Sequence, residues 1–220
     1  MRTYYNRIAG ESLERLAALS DGIFAVAMTL LVLDLHAPLE AIHIEQPIWV
    51  SGAIQSEHLL LVALGNLAPS LLTYFMSFLT LGIFWVGQQT QLNYLARSNR
   101  HLTWIHLAFL LVVSLMPFST ALLAADITYR LALGVYWLNI FLFGAVLFVS
   151  WQYAQRAGLV KDEMTAEMRF ANTRRIVLGQ SLYAFGALLC VFNTYVSIAF
   201  IVLVQLNYAI APRLGWLDRL

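Results

Sequence analysis

Charge is scarce in this chain. Asp, Glu, Lys and Arg make up 11% of its 220 residues, while 60% are hydrophobic and the mean hydropathy is +0.72. A soluble domain carries about 25% charged residues because its surface must face water. The scarcity excludes a cytosolic globular enzyme, and the hydrophobicity excludes a disordered scaffold. The single cysteine, Cys190, excludes an intrachain disulfide framework and a multi-cysteine zinc or iron–sulfur site. A formal net charge of +1 gives no basis for nucleic-acid binding. No G-x-S-x-G, HExxH, P-loop or Cys-x-x-Cys motif is present, and no nucleophile–base pair is visible. An enzyme is therefore not expected, nor a cofactor. The five histidines fit no metal motif; His36, His43 and His58 could meet on zinc only through the fold. No T-V-G-Y-G filter, no arginine ladder and no internal repeat occurs.

Long apolar stretches take the place of all these. A membrane helix needs about 20 apolar residues. Uncharged runs occupy 22–33, 58–96, 101–125, 131–155 and 176–212. The last is too long for one crossing and breaks at Asn193-Thr194. Gly65, Asn66 and Pro69 interrupt the front of the second, where proline is tolerated in a first helical turn. The first run extends backwards past Asp21 through Leu19, Ala18, Leu16 and Leu13, and the acidic Glu11 and Glu14 argue against a cleaved signal peptide. The expected fold is all-α: a polytopic membrane protein with one six-helix domain over 1–220. Its helices fall at about 12–35, 67–89, 102–124, 130–153, 170–192 and 195–212.

Orientation follows from the basic residues. With the N-terminus in the cytoplasm, all of the 13 Lys and Arg except Arg130 fall inside. Both termini are then cytoplasmic, and 37–67 lies outside with Glu40, Glu45 and Glu57 and no basic residue. Trp85, Trp104, Trp151 and Trp216 come near the inner surface, as an aromatic belt would. The segment 161–175 alternates acid and base at helical spacing and reads as a solvated helix leading into the fifth span.

The first helix is the informative one. Ionisable residues inside a span are costly, so each is a functional candidate. Asp21 lies about 9 Å beyond Arg15 along the axis and about 120° round it, so the two are not an i,i+4 pair. Each needs a partner elsewhere: in a polar network between helices or, for Asp21, in a bound cation. Val26, Thr29, Leu30 and Leu33 form a stripe about 100° wide, and Asp21 points about 140° away from Val26. Such a stripe suits a lipid-facing or packing surface as well as a pore, and composition leaves this open.

Arg15-Leu-Ala-Ala-Leu19-Ser20-Asp21-Gly22, followed by Ile-Phe-Ala-Val-Ala-Met-Thr-Leu-Leu-Val-Leu-Asp, resembles the R-x-x-x-F-S-D motif of the transmembrane protein 175 family. Leu71-Leu-Thr-Tyr74-Phe-Met-Ser77-Phe78 and Gly82-Ile-Phe-Trp85 look like its second helix. Phe109-Leu-Leu-Val-Val-Ser114-Leu-Met-Pro117-Phe118-Ser-Thr120-Ala-Leu looks like its third. The likeness is strong over about 15–123 and rests on helix count beyond. Leu19 stands in the usual Phe position, and Gln88-Gln89 stand where many bacterial members carry His-His.

The resemblance implies a potassium channel of one six-helix unit per chain, assembled as a homotetramer around four first helices. It implies an apolar constriction at Val26, Leu30 and Leu33, with Thr29 as a polar layer, and a modest preference for K+ over Na+ as the permeant ion. Arg15, Ser20 and Asp21 would form a network with Ser77 and Trp85 of the second helix and His106 or Ser114 of the third. Asp34 at the outer mouth is either a cation-concentrating ring or an interfacial charge facing water. The membrane would be the cell membrane, the inner one in a bacterium. Two other functions remain open: a secondary or proton-coupled transporter using Asp21, and a non-conducting membrane scaffold.

Overall fold

The computed structural model describes residues 12–36, 47, 49, 50 and 53–210, with the side chains of 53–57 outside that description. His43, Trp216 and the terminal Arg2, Arg7, Arg213 and Arg219 lie outside the described residues. The described chain is all-helical. Helix α1 (Leu13–Leu30) starts where the Ser12 side chain accepts the Arg15 N–H at 3.2 Å, and it tightens into a 3-10 turn over Leu31–Asp34. Helix α2 (Ala53–Gly65) lies in the stretch expected as an outer connection. Its Leu59-Leu-Leu-Val-Ala-Leu run is rich in strong helix formers, and Leu59, Leu61 and Leu64 are exposed.

Helix α3 (Ala68–Asn93) carries Pro69 in its first turn and runs past the expected end near residue 89, because nothing in Thr90-Gln91-Leu92-Asn93 breaks it. The third span is two helices, α4 (Arg100–Ser114) and α5 (Met116–Ala125), joined at Leu115. Pro117 explains the joint: it has no N–H to donate, and its ring would clash with the Val113 carbonyl of a continuous helix. Helix α6 spans Arg130–Arg156. Helix α7 (Ala166–Leu188) begins earlier than the expected 170 because the Thr165 hydroxyl caps the Met168 N–H at 3.2 Å. A 3-10 turn (Leu189–Val191) follows, and Asn193 Oδ1 accepts the Tyr195 N–H at 2.8 Å to open α8 (Thr194–Ile210).

Among the described residues five helical segments are long and apolar enough to cross a membrane: Leu13–Asp34, Ala68–Asn93, Arg100–Ala125, Arg130–Arg156 and Ala166–Val191. Thr194–Ile210 is apolar and shorter. Helix α6 packs on α4, α5 and α7, while α3 packs on α1, α5 and α8. A column of rings ties four of them together. Phe143 of α6 stacks on Phe84 of α3 with centroids 4.8 Å apart and meets Phe109 of α4 edge-on at 5.7 Å; Phe109 in turn meets Phe24 of α1 at 6.0 Å.

A second apolar cluster, including Leu16, Leu92, Leu102 and Trp151, closes the end at which α1 begins. Trp151, expected in an interfacial belt, is fully buried there and donates its indole N–H to Thr173 Oγ1 at 3.0 Å. The loops at this end are tied by backbone bonds, Ala96 N–H to Leu159 O at 2.8 Å and Lys161 N–H to Tyr94 O at 3.0 Å. Gly158, at φ 63°, supplies the left-handed residue that the turn after α6 needs.

Candidate functional site

Helix α1 has two faces of different fate. Leu16, Ser20, Phe24, Ala27 and Leu31 follow one another by three or four residues and are buried against the bundle. The opposite stripe stays uncovered: Val26 is 55% exposed, Leu30 43% and Leu33 67%, and Thr29 is exposed beside them. Side chains at i and i+3 eclipse in a 3-10 turn, so the tightening at Leu31–Asp34 sets Leu33 over Leu30. The Thr29 hydroxyl donates back to the Ala25 and Val26 carbonyls at 3.0 and 2.9 Å. Its proton is thus engaged by its own helix and its oxygen lone pairs remain free as acceptors. Asp34 ends the 3-10 turn, and its carbonyl lies 3.1 Å from His36 Nδ1.

The polar residues of the motif are anchored to α3. Asp21 Oδ1 accepts the Trp85 indole N–H at 2.8 Å and the Gln89 amide N–H at 2.7 Å. Ser20 donates to the Leu16 carbonyl at 2.9 Å and accepts from Gln88 Nε2 at 2.7 Å, fully buried. The two glutamines that replace the histidine pair therefore hold the two motif residues, one each. No ion pair joins Asp21 to Arg15, which is exposed at the start of α1.

The remaining residues expected in one network are divided among separate groups. Ser77 accepts from Thr120 Oγ1 at 2.6 Å and donates to Tyr136 at 3.4 Å; Tyr136 also meets Thr80 at 3.2 Å, and Gln205 Nε2 donates to Thr80 Oγ1 at 2.7 Å. That group links α3, α5, α6 and α8. His106 Nε2 lies 3.4 Å from Ser150 Oγ, which accepts from Gln91 at 3.0 Å. Ser114 is exposed and donates to the Leu111 carbonyl of its own helix at 2.7 Å.

Sequence reasoning missed Thr80, Gln88, Gln91, Thr120, Tyr136, Ser150 and Gln205. A signal for part of them was there: Thr73, Ser77, Thr80, Phe84, Gln88 and Gln91 recur every three or four residues on the face of α3 that is buried. Among the described residues no three His, Cys, Asp or Glu gather to hold a metal. Between α5 and α6, Asp126 holds the Thr128 hydroxyl at 2.6 Å and its backbone N–H at 3.0 Å, which keeps its carboxyl below the usual range.

A bundle of long apolar helices whose outer faces also carry large apolar side chains defines a multi-pass membrane protein. Residues 15–117 match the family described as "Endosomal/lysosomal potassium channel TMEM175". The chain is 33% identical over 174 residues to a potassium channel of Streptomyces collinus, covering 77% of this chain and 78% of that protein. It is 29% identical over 201 residues to a potassium channel of Chamaesiphon minutus, covering 89% and 93%. Its fold matches the crystal structure of a lysosomal potassium-selective channel TMEM175 homolog from Chamaesiphon minutus, with a TM-score of 0.73 and 25% identity over 91% of this chain and 98% of that one. The chain belongs to the TMEM175 family, a family of ion channels and not of enzymes.

Proposed function

We propose that this chain is the subunit of a potassium channel in a bacterial inner membrane, with six spans, both termini in the cytoplasm and four copies around one pore. Relatives named potassium channels that align along most of their length support the class. The observation that carries the pore is the uncovered stripe on α1. Val26, Leu30 and Leu33 stack at about 6 Å intervals, by a 1.5 Å rise per α-helical residue and 2.0 Å in the 3-10 turn. Four copies make three apolar rings, with the four Thr29 oxygens between the inner two. K+ sheds its hydration water more cheaply than Na+. A narrow apolar passage with one ring of acceptors therefore favours K+ modestly, and it closes when the rings dewet. Four copies of Asp34 at the outer mouth would concentrate cations. No cofactor enters this reading; K+ is the cargo.

Planar-bilayer recording of the purified protein under asymmetric K+ and Na+ tests it. Leu30→Asn should hydrate the rings, raise conductance and weaken the preference for K+. Met28→Asn should do neither, because Met28 turns towards α3, where a Cβ on Gly82 would lie 3.8 Å from its Cε. Current that follows the electrochemical gradient supports a channel, whereas saturable counter-transport in liposomes indicates a carrier. The absence of any flux indicates a scaffold. An effect of Met28→Asn without one of Leu30→Asn places the pore on the wrong side of α1.

A further inference from the structure

Between α3, α6, α7 and α8 lies a cavity of about 70 Å³. It joins a groove of about 750 Å³ that runs between α1, α3 and α8, and Ile83, Arg175 and Tyr208 line both. The two spaces differ in chemistry. The groove is walled by Phe24, Met28, Phe78, Leu79 and Val86. The cavity is lined by polar groups that find no partner within the bundle. Tyr183 is 2% exposed and its hydroxyl has no partner; Asn172 Nδ2 is buried and likewise unpartnered. Arg175 brings a guanidinium, which is donor-only, and Tyr208 a further hydroxyl. The unpartnered acceptor on this wall is Gln180 Oε1; the amide nitrogen of the same residue donates to the Ile140 carbonyl at 3.3 Å. Asp21 stands across the groove on α1, where Trp85 and Gln89 already engage it.

A guanidinium where the two spaces meet, with unpartnered polar groups beside it, calls for an anion, and an apolar groove next to them calls for a hydrocarbon chain. We propose that the site holds an anionic phospholipid. Its phosphodiester sits on Arg175, Tyr208 and Asn172, and an acyl chain lies in the groove along Phe24, Met28 and Phe78. The location fits. Arg175 is about 14 Å into α7 from Ala166, at 1.5 Å per residue, and Lys161, Arg169 and Arg174 cluster towards the same end. Basic residues between membrane helices at the cytoplasmic side attract anionic headgroups. The lipid would brace the flank of α1 next to the exposed stripe against α3 and α8. The inference goes beyond ion conduction and is tested without a current.

Native mass spectrometry of the delipidated full chain, titrated with phosphatidylglycerol or phosphatidylcholine, reads the site. The wild type should bind phosphatidylglycerol about tenfold more tightly than phosphatidylcholine, because both carry the phosphodiester but only choline sets a second positive charge near Arg175. Arg175→Gln should remove that preference, and Arg175→Lys should keep most of it. Gly87→Leu should weaken phosphatidylglycerol binding without touching a charge, because Gly87 lines the cavity and nothing lies within 4 Å of its Cβ position. Equal binding of the two lipids by the wild type overturns the proposal, as does undiminished phosphatidylglycerol binding by Arg175→Gln. Should Arg175→Gln fail to assemble, Gly87→Leu decides: unchanged lipid binding in that variant refutes the site.

Discussion

Removing the Ser20 hydroxyl should cost more than removing the far larger polar group it touches. Gln88 is fully buried, its Nε2 donates to Ser20 Oγ at 2.7 Å, and its Oε1 has no partner. Ser20→Ala therefore strands both polar atoms of the amide. A buried donor that loses its acceptor costs about 1–3 kcal/mol. Gln88→Leu removes the donor and the orphaned oxygen together. Ser20 keeps its bond to the Leu16 carbonyl at 2.9 Å, so nothing is newly stranded. That change should lie within about 1 kcal/mol of neutral, since replacing polar partners by apolar groups of similar shape is nearly free. The double variant Ser20→Ala/Gln88→Leu should then be more stable than Ser20→Ala alone, with a coupling of about 1–2 kcal/mol. Guanidinium unfolding in detergent micelles, followed by helical circular dichroism, gives the four stabilities of the cycle. An additive cycle, or a Ser20→Ala cost no larger than that of Gln88→Leu, would refute the reasoning.

Asp21→Ala leaves the Trp85 and Gln89 N–H groups without their acceptor, so Trp85 fluorescence should shift; Asp21→Asn retains an oxygen for both donors and should leave the emission near that of the wild type. The cost of Asp21→Ala should stay near about 1 kcal/mol, because the residue is exposed and water replaces part of what is lost. Thr29→Val removes the free lone pairs from the stripe and should lower the K+ over Na+ preference in bilayer recordings while leaving the melting temperature unchanged. Gly186→Val should destabilise by about 1–3 kcal/mol in thermal unfolding, since its Cβ would lie 2.9 Å from Phe200 Cδ1 and 3.0 Å from Ile201 Cγ1. Asp126 has a depressed carboxyl pKa, so its contribution to stability is present above the ordinary aspartate range and is lost as pH falls through the depressed value. In Asp126→Asn that part of the acid-side loss should be missing from a melting-temperature profile taken downward from pH 5.

Hydropathy and local chemistry suffice to place the long apolar helices, though not α2, and several of the signals that start or end them. Their causes act within one turn: Ser12 and Thr165 cap their own helices, Pro69 starts one, and Asn193 marks a tight turn. The stripe on α1 was legible for the same reason, because helical periodicity alone sets which residues share a face. Periodicity did not say which face would be covered. That depended on Phe24 meeting Phe109 and on Ser20 meeting Gln88, contacts that leave Val26, Thr29, Leu30 and Leu33 outside. Local signals also fell short where several weak ones add up, as in α2, and where an indole finds an internal partner, as Trp151 does in Thr173.

Family resemblance assigned Arg15, Ser20, Asp21, Ser77, Trp85, His106 and Ser114 to one network, yet the bundle distributes them by depth and by the rotation of each helix. Asp21 meets Trp85 and Gln89, Ser77 meets Thr120 and Tyr136, His106 meets Ser150, and Ser114 faces outward. The physical reason is reach. A cap or a turn is decided by atoms a few bonds apart. A hydrogen bond between residues 68 positions apart, such as Gln88 to Ser20, exists only once two helices have settled at a particular rotation and depth. Composition and spacing therefore determine that this chain lives in a membrane and which side of α1 is apolar. Only the packing of α3, α4 and α5 against α1 decides which polar groups anchor that helix and which face it turns outward.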